Sequence, residues 1–261
     1  MGPSIIASYT KDLDSFPDCD FRVINRVGYF ISPVFDVLRL KEWKLANSPE
    51  KYSYCATVSI VGGEENAWLR ELALDRRMDN RSEEDVIHYI RSIVDESELG
   101  DEKQIARFVY TDFIFRTQAG TDAGIQIKGA FVEPSKEKKA MARTVYAFLL
   151  NWYRHIISDN HQTMYGAKIW ASGMLQVGRV QIYDDIQKHF VDILAQGGIG
   201  IDGFKPWDAL RLTEQQISHW NPYALSIDPA DKILAIVSAV DRYHPVGITT
   251  FDATRPRLKV R

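Results

Sequence analysis

Residues 125–170 constrain the fold most tightly, because apolar spacing there switches repeatedly between the two-residue and the helical repeat. Ile125 to Val132 is an apolar, β-branched run closed by Pro134, which suits a strand. Met141, Val145, Phe148, Leu149 and Trp152 then recur at i, i+4, i+7, i+8 and i+11, one face of a helix. Ile156 and Ile157 open a second strand, and a further helical stretch runs from Gln162 and Thr163 to Trp170. The order is strand, basic turn, helix, strand, helix. It predicts a mixed α/β (α+β) fold.

The turn carries an unusual charge distribution. Lys136, Lys138, Lys139 and Arg143 crowd the start of the helix, where cations oppose the macrodipole at about 0.3–1 kcal/mol each when exposed. A positive helix end with added positive charge is well disposed toward an anion, because first-turn amides and lysines meet phosphate oxygens together. A solvated lysine cluster balanced by Glu133 and Glu137 is the other reading of the same residues.

Residues 132–142 and 156–170 resemble the GNAT superfamily of acyl-CoA N-acyltransferases, in particular divergent members carried by bacteriophages. The resemblance rests on Val132-Glu133-Pro134, then Glu137-Lys138-Lys139-Ala140-Met141-Ala142 at the spacing of the family's pyrophosphate loop. It continues in Ser158-Asp159-Asn160, Gln162-Thr163, Gly166 and Ile169-Trp170. It implies a mixed, mostly antiparallel central sheet flanked by helices, with N- and C-terminal additions. It implies an acyl-CoA co-substrate held by amides around Lys138, Lys139, Ala140, Met141, Ala142 and Arg143, the pantetheine arm running beside Ala130 and Val132. It further implies a strand that splays from its neighbour beyond the helix. The chain departs from the family pattern where Glu137 replaces arginine or glutamine, Ala140 replaces glycine, and Trp170 stands at the usual tyrosine. Alanine puts a Cβ between backbone and phosphate, and indole lacks a phenol's proton-donating hydroxyl.

Acyl transfer to an amine needs a base, donors for the oxyanion and a proton for the departing thiolate. Glu133, at a strand end, and Asp159, after the second strand, are the candidate bases; Asp159 also fits a helix cap. Ser158 is placed to orient the thioester or the amine. Tyr165 is the candidate acid in place of Trp170, or a tyrosine packed at a helix edge. The expected activity is transfer of an acetyl or longer acyl group to an amine acceptor. A host protein is the partner implied by the phage resemblance, as acylation substrate or as the binding target of a fold that has lost catalysis.

The rest of the chain reads as scaffold. Phe21 to Phe35 suits one or two strands, and Tyr52 to Val61 a strand stopping at Gly62-Gly63. Ser82 before Glu83, Glu84 and Asp85 predicts a helix N-terminus, with Val86, Ile90, Ile93 and Val94 on one face and Gly100 as the stop. Residues 104–116 and 125–132, joined by Ala119 to Gly124, predict a hairpin. Thr213 to Gln216 forms a capping-box pattern, and strands are expected at 232–237 and 246–251. Gly198-Ile199-Gly200-Ile201-Asp202-Gly203 matches GxGxxG. Ile186, Phe190, Ile193 and Leu194 before it are spaced as a helix, so the glycines read as a helix exit and loop. The basic tail from Arg255 to Arg261 reads as a frayed terminus.

Composition excludes little. A 45% hydrophobic, 26% charged chain of 261 residues has ample core material, and a net charge of −3 gives no general attraction to nucleic acid or membranes. Cys19 and Cys55 lack metal or disulfide spacing, and the six histidines are scattered, so no metal site and a reducing cytoplasm are expected. The start has neither a basic segment nor a long apolar run, and no signal peptide is expected. Without a repeat or low-complexity linker, one domain is expected: an N-terminal region to residue 100, an acyl-CoA-binding core over 101–196, and an extension over 197–261.

Overall fold

The computed structural model describes residues 4–6, 13–62, 67–93, 102–134, 141–220, 224–227 and 232–239. Among them are twelve strands and five α-helices. In chain order these are β1 (Ser4–Ile6), β2 (Phe21–Ile31), β3 (Val37–Ala46), β4 (Tyr54–Ile60), α1 (Ala67–Met78), α2 (Glu83–Ile93), β5 (Lys103–Thr117) and β6 (Gly120–Val132). There follow α3 (Met141–Tyr153), β7 (His155–Ile157), β8 (His161–Thr163), α4 (Met164–Lys168), β9 (Arg179–Asp184), β10 (His189–Ala195), β11 (Ile199–Gly200), α5 (Glu214–Trp220) and β12 (Ile233–Ser238). The fold is mixed α and β, with a large and mostly antiparallel sheet.

The chain divides into two compact units, and β5 and β6 contribute a segment to each. The first comprises the described residues of Leu13–Tyr110 and Gly129–Asn151. Its strands follow the order β5-β4-β3-β2. Helix α2 begins where the sequence predicts: Asp85 N–H donates to Ser82 Oγ at 3.1 Å, and Ser82 N–H donates back to Asp85 Oδ2 at 3.3 Å. Val86 and Ile90 pack with Leu69 and Ala73 of α1 and with Val37 and Val61, whereas Ile93 is exposed. Helix α1, which the sequence reading does not contain, starts with no acid in its first turn and so lacks the signal that marks α2. Helix α3 buries Met141, Val145, Phe148 and Leu149 of the predicted stripe, whereas Trp152 is only partly buried. Phe148 meets Phe30 at 5.2 Å between ring centroids, and Tyr146 meets Phe108 edge-on at 5.6 Å.

The second unit comprises the described residues of Thr111–Lys128 and Trp152–Thr254 together with β1. Its strand order is β11-β10-β9-β12-β7-β6-β5, and β1 pairs separately with β8 in parallel. β7, β12, β9, β10 and β11 pair antiparallel along this order, while β6 and β7 run parallel. Phe115, Ile157, Tyr183, Leu234 and Ile236 form a buried cluster on one face. The capping box of α5 is present, Thr213 N–H donating to Gln216 Oε1 and Gln216 N–H to Thr213 Oγ1.

One expectation is overturned here. Residues 184–194 are not helical but form the β9–β10 hairpin. Asp184 Oδ1 accepts from the amides of Ile186 and Gln187, and Lys188 takes the left-handed conformation at φ 59°. That turn reverses the chain before a helix can propagate. The following glycines therefore leave a strand, not a helix, and Ile199–Gly200 returns as β11 against Leu194 and Ala195. The predicted strand at 246–251, the helix stop at Gly100 and the basic tail lie outside the described residues.

Candidate functional site

The pairing of β6 with β7 is short. Ile125 lies opposite Ile156 and Gln126 opposite Ile157. β7 pairs with β12 on its other side, and the chain leaving it stays on β12: Ser158 N–H donates to the Ala235 carbonyl at 2.8 Å, and Ser158 Oγ accepts from Ala235 N–H at 2.9 Å. β6 continues to Val132. The parallel ladder therefore covers two positions on each strand and ends where β7 ends. Gly124 lets them approach, since a Cβ there would stand 2.5 Å from the His155 carbonyl oxygen.

Polar side chains gather where the ladder ends. Gln126 is buried; its Nε2 donates to the Ser158 carbonyl at 3.0 Å and to Asn160 Oδ1 at 3.4 Å. Its Oε1 accepts from Lys128 Nζ at 2.6 Å. A backbone carbonyl only accepts and an ammonium only donates, so these partners fix which end of the Gln126 amide is oxygen. Lys128 Nζ also stands 3.9 Å from Asp159 Oδ1. Asp159 and Ser158 are expected from the sequence, whereas Gln126 and Lys128 are found only in the fold. The signal available was a glutamine and a lysine at alternate positions of an otherwise apolar strand.

The predicted residues of this unit have mixed fates. Asp159 is no helix cap: its Oδ1 accepts from the neighbouring Asn160 amide, and Thr163 Oγ1 caps α4 by accepting from Gly166 N–H at 3.1 Å. The Asp159 carbonyl accepts from Gln162 Nε2 at 3.0 Å, and Gln162 Oε1 in turn accepts from the buried Trp207 indole N–H at 3.2 Å. Ser158 is fully buried with its hydroxyl on β12, so orienting a substrate is not its part. Tyr165 is half exposed on α4. Trp170 is buried in a π-helical turn, Ile169–Gly173, that extends α4.

In the other unit, Ala130, Val132 and Glu133 are each partly buried at the end of β6. The Glu133 amide donates to the Ile105 carbonyl, and its Oε1 lies 3.6 Å from Lys103 Nζ. Its Oε2 is buried with no hydrogen-bond partner among the described residues. Met141 and Ala142 point into the core, so only their backbone amides suit an anion; Arg143 is partly buried. Lys138, Lys139 and Ala140 lie outside the described residues.

A second polar row crosses β6, β7 and β12. His155 Nδ1 stands 2.9 Å from Ser238 Oγ, and Nε2 stands 3.3 Å from Asp122 Oδ2. His155 and Ser238 are buried in facing strand positions, which suits a cross-strand tie. Among the described residues no three His, Cys, Asp or Glu side chains come together as metal ligands, and no helix is long and apolar enough to cross a membrane. The chain matches no protein-family model, no curated protein and no solved structure.

Proposed function

We propose that the protein is an N-acyltransferase of GNAT type, moving an acetyl or longer acyl group from acyl-CoA to an amine. The observation that supports this reading is the short parallel ladder of β6 with β7, which ends at Gln126 and Ile157 while β6 continues, with the Lys128–Asp159 pair beside it. A strand edge released from its neighbour offers backbone donors and acceptors to an extended amide-bearing chain such as pantetheine, as strand addition does for peptides. The basic stretch of Lys136, Lys138, Lys139 and Arg143 in the sequence suits the pyrophosphate.

Acyl-CoA supplies the thioester carbon and the thiolate leaving group. Asp159 takes the proton of the acceptor amine. Tyr165, half exposed on α4, delivers a proton to the thiolate. Calorimetry with CoA and acetyl-CoA tests the reading: saturable heat is expected, and no heat at millimolar ligand rejects it. The Lys138→Glu, Lys139→Glu double variant is expected to weaken CoA binding strongly, and unchanged affinity would move the pyrophosphate elsewhere.

A second reading has its own observation. Strand β2 ends the strand order of its unit and exposes Phe21, Val23, Ile24 and Val27. An apolar edge strand is a template for another chain, and a lapsed acyltransferase fold could hold a host protein there. Affinity capture from bacterial lysate separates the two: a stoichiometric partner retained without CoA and lost in Ile24→Lys favours binding. A partner whose mass rises only with acyl-CoA favours catalysis.

A further inference from the structure

We propose that Lys128 is itself an acyl acceptor, so that the protein acylates its own β6 strand when supplied with acyl-CoA; this rests on the acyltransferase reading above. Lys128 comes two residues after Gln126, the last β6 residue paired with β7, just past the end of that ladder. Its side chain is 28% exposed, partly open to solvent and partly enclosed. Gln126 Oε1 at 2.6 Å fixes the position of Nζ, and Gln126 is itself anchored by Ser158 and Asn160. Asp159 Oδ1, 3.9 Å away, is the carboxylate to which the ammonium can give a proton. An amine positioned this way beside a base has what an acceptor needs.

The step balances without a further reagent. The Lys128 ammonium passes one proton to Asp159 and on to solvent, leaving a neutral amine. Its lone pair attacks the thioester carbonyl carbon; the N–C bond forms and the C–S bond breaks. The departing CoA thiolate takes a second proton from the nitrogen, giving the amide and free CoA thiol. The product has no charge at Nζ, so the pairing with Asp159 is lost and each molecule reacts once at this position.

The experiment incubates the full chain with acetyl-CoA and follows each lysine by peptide mass spectrometry, with acetyl phosphate as a donor lacking the CoA moiety. Lys128 should be acetylated first, at a rate that saturates with acetyl-CoA and falls when CoA is added. The exposed Lys44 and Lys188 should lag behind it. Asp159→Asn should slow the reaction by a factor on the order of 10², with circular dichroism checking that the variant is folded. Acetylation of Lys128 by acetyl phosphate at the pace of the exposed lysines would overturn the proposal, since reactivity would then be unspecific. CoA binding by calorimetry with Lys128 unmodified would overturn it while leaving the acyltransferase reading in place. Neither binding nor modification would overturn both.

Discussion

The Cβ that Gly200 lacks would overlap the carboxylate of Asp192. Asp192 is buried, and its two oxygens accept from the backbone amides of Ile193, Asp202 and Phe204. The glycine-rich loop therefore wraps an internal carboxylate, with Gly197, Gly198 and Gly203 at positive φ to make the curve. Its amides point at the chain's own anion, which accounts for a GxGxxG sequence that opens no helix. Gly200→Ala should cost about 1–3 kcal/mol from overpacking, read as a lower urea midpoint. Addition of NAD should leave the thermal midpoint of the parent unchanged.

Gly124 does similar work where β6 meets β7. A Cβ there would stand 2.7 Å from His155 Cβ as well as against the His155 carbonyl. Backbone offers no flexible end to move aside, so Gly124→Ala must widen the β6–β7 junction. The expected loss is again about 1–3 kcal/mol. A Gly124→Ala protein with the parent's urea midpoint would show that β6 and β7 are not held this closely.

Much of the scaffold was legible because local chemistry settled it. Ser82 with Asp85 and Thr213 with Gln216 are caps complete within four residues, and both helices start where those caps say. The α3 stripe was equally self-contained. The β9–β10 hairpin was misread because Ile186, Phe190, Ile193 and Leu194 fall at a helical repeat by coincidence, while the turn is decided by Asp184 and by left-handed Lys188. The Gln126–Lys128–Asp159 cluster lay beyond reach for another reason. Alternation marks both β6 residues as sharing a face, but which strand stands opposite is a long-range fact. The partnership with Ser158 spans 32 residues and depends on where the parallel pairing stops.

Glu83 should make stability depend on pH. Burial pushes its carboxyl above its ordinary value of 4.5, opposed by the Ile31 N–H that donates to Oε1 at 2.8 Å. A raised carboxyl means the folded state favours the protonated form. The contribution is thus fully present below pH 4.5 and is lost as pH rises through the elevated folded value. Glu83→Gln keeps an acceptor for Ile31 without the charge. The variant should gain on the parent as pH rises from about 4 to 7, in denaturant titrations at each pH; a gap independent of pH would contradict this.

Cys55 predicts a loss at the alkaline end. Its thiol is fully buried, and burial pushes it up to about 12 from an ordinary 9.0, against the lowering influence of Arg107. The folded state holds the proton more tightly, so stability is full below pH 9.0 and declines as pH climbs toward 12. The advantage of the parent over Cys55→Ala should shrink across that window. Cys55 should also resist Ellman's reagent in the folded protein at pH 8 and react once urea unfolds it.

Gln162 is the residue through which the Asp159 segment is held. Its two amide ends have unambiguous roles: the Trp207 indole can only donate to Oε1, and the Asp159 carbonyl can only accept from Nε2. Gln162→Leu strands both partners, at about 1–3 kcal/mol for each buried group left unpaired. Gln162→Glu is the sharper test. An ionised glutamate still accepts from Trp207 but turns an acceptor toward the Asp159 carbonyl, so one contact survives and the other becomes repulsive. Tryptophan fluorescence should then stay near the parent's, while amide exchange at Asn160, whose N–H donates to Asp159 Oδ1, should quicken. If Asp159 is the base, the glutamate variant should also lower kcat more than it raises KM, because positioning of a proton acceptor acts in the transition state. Equal exchange at Asn160 in parent and variant would mean that the segment is held by something other than Gln162.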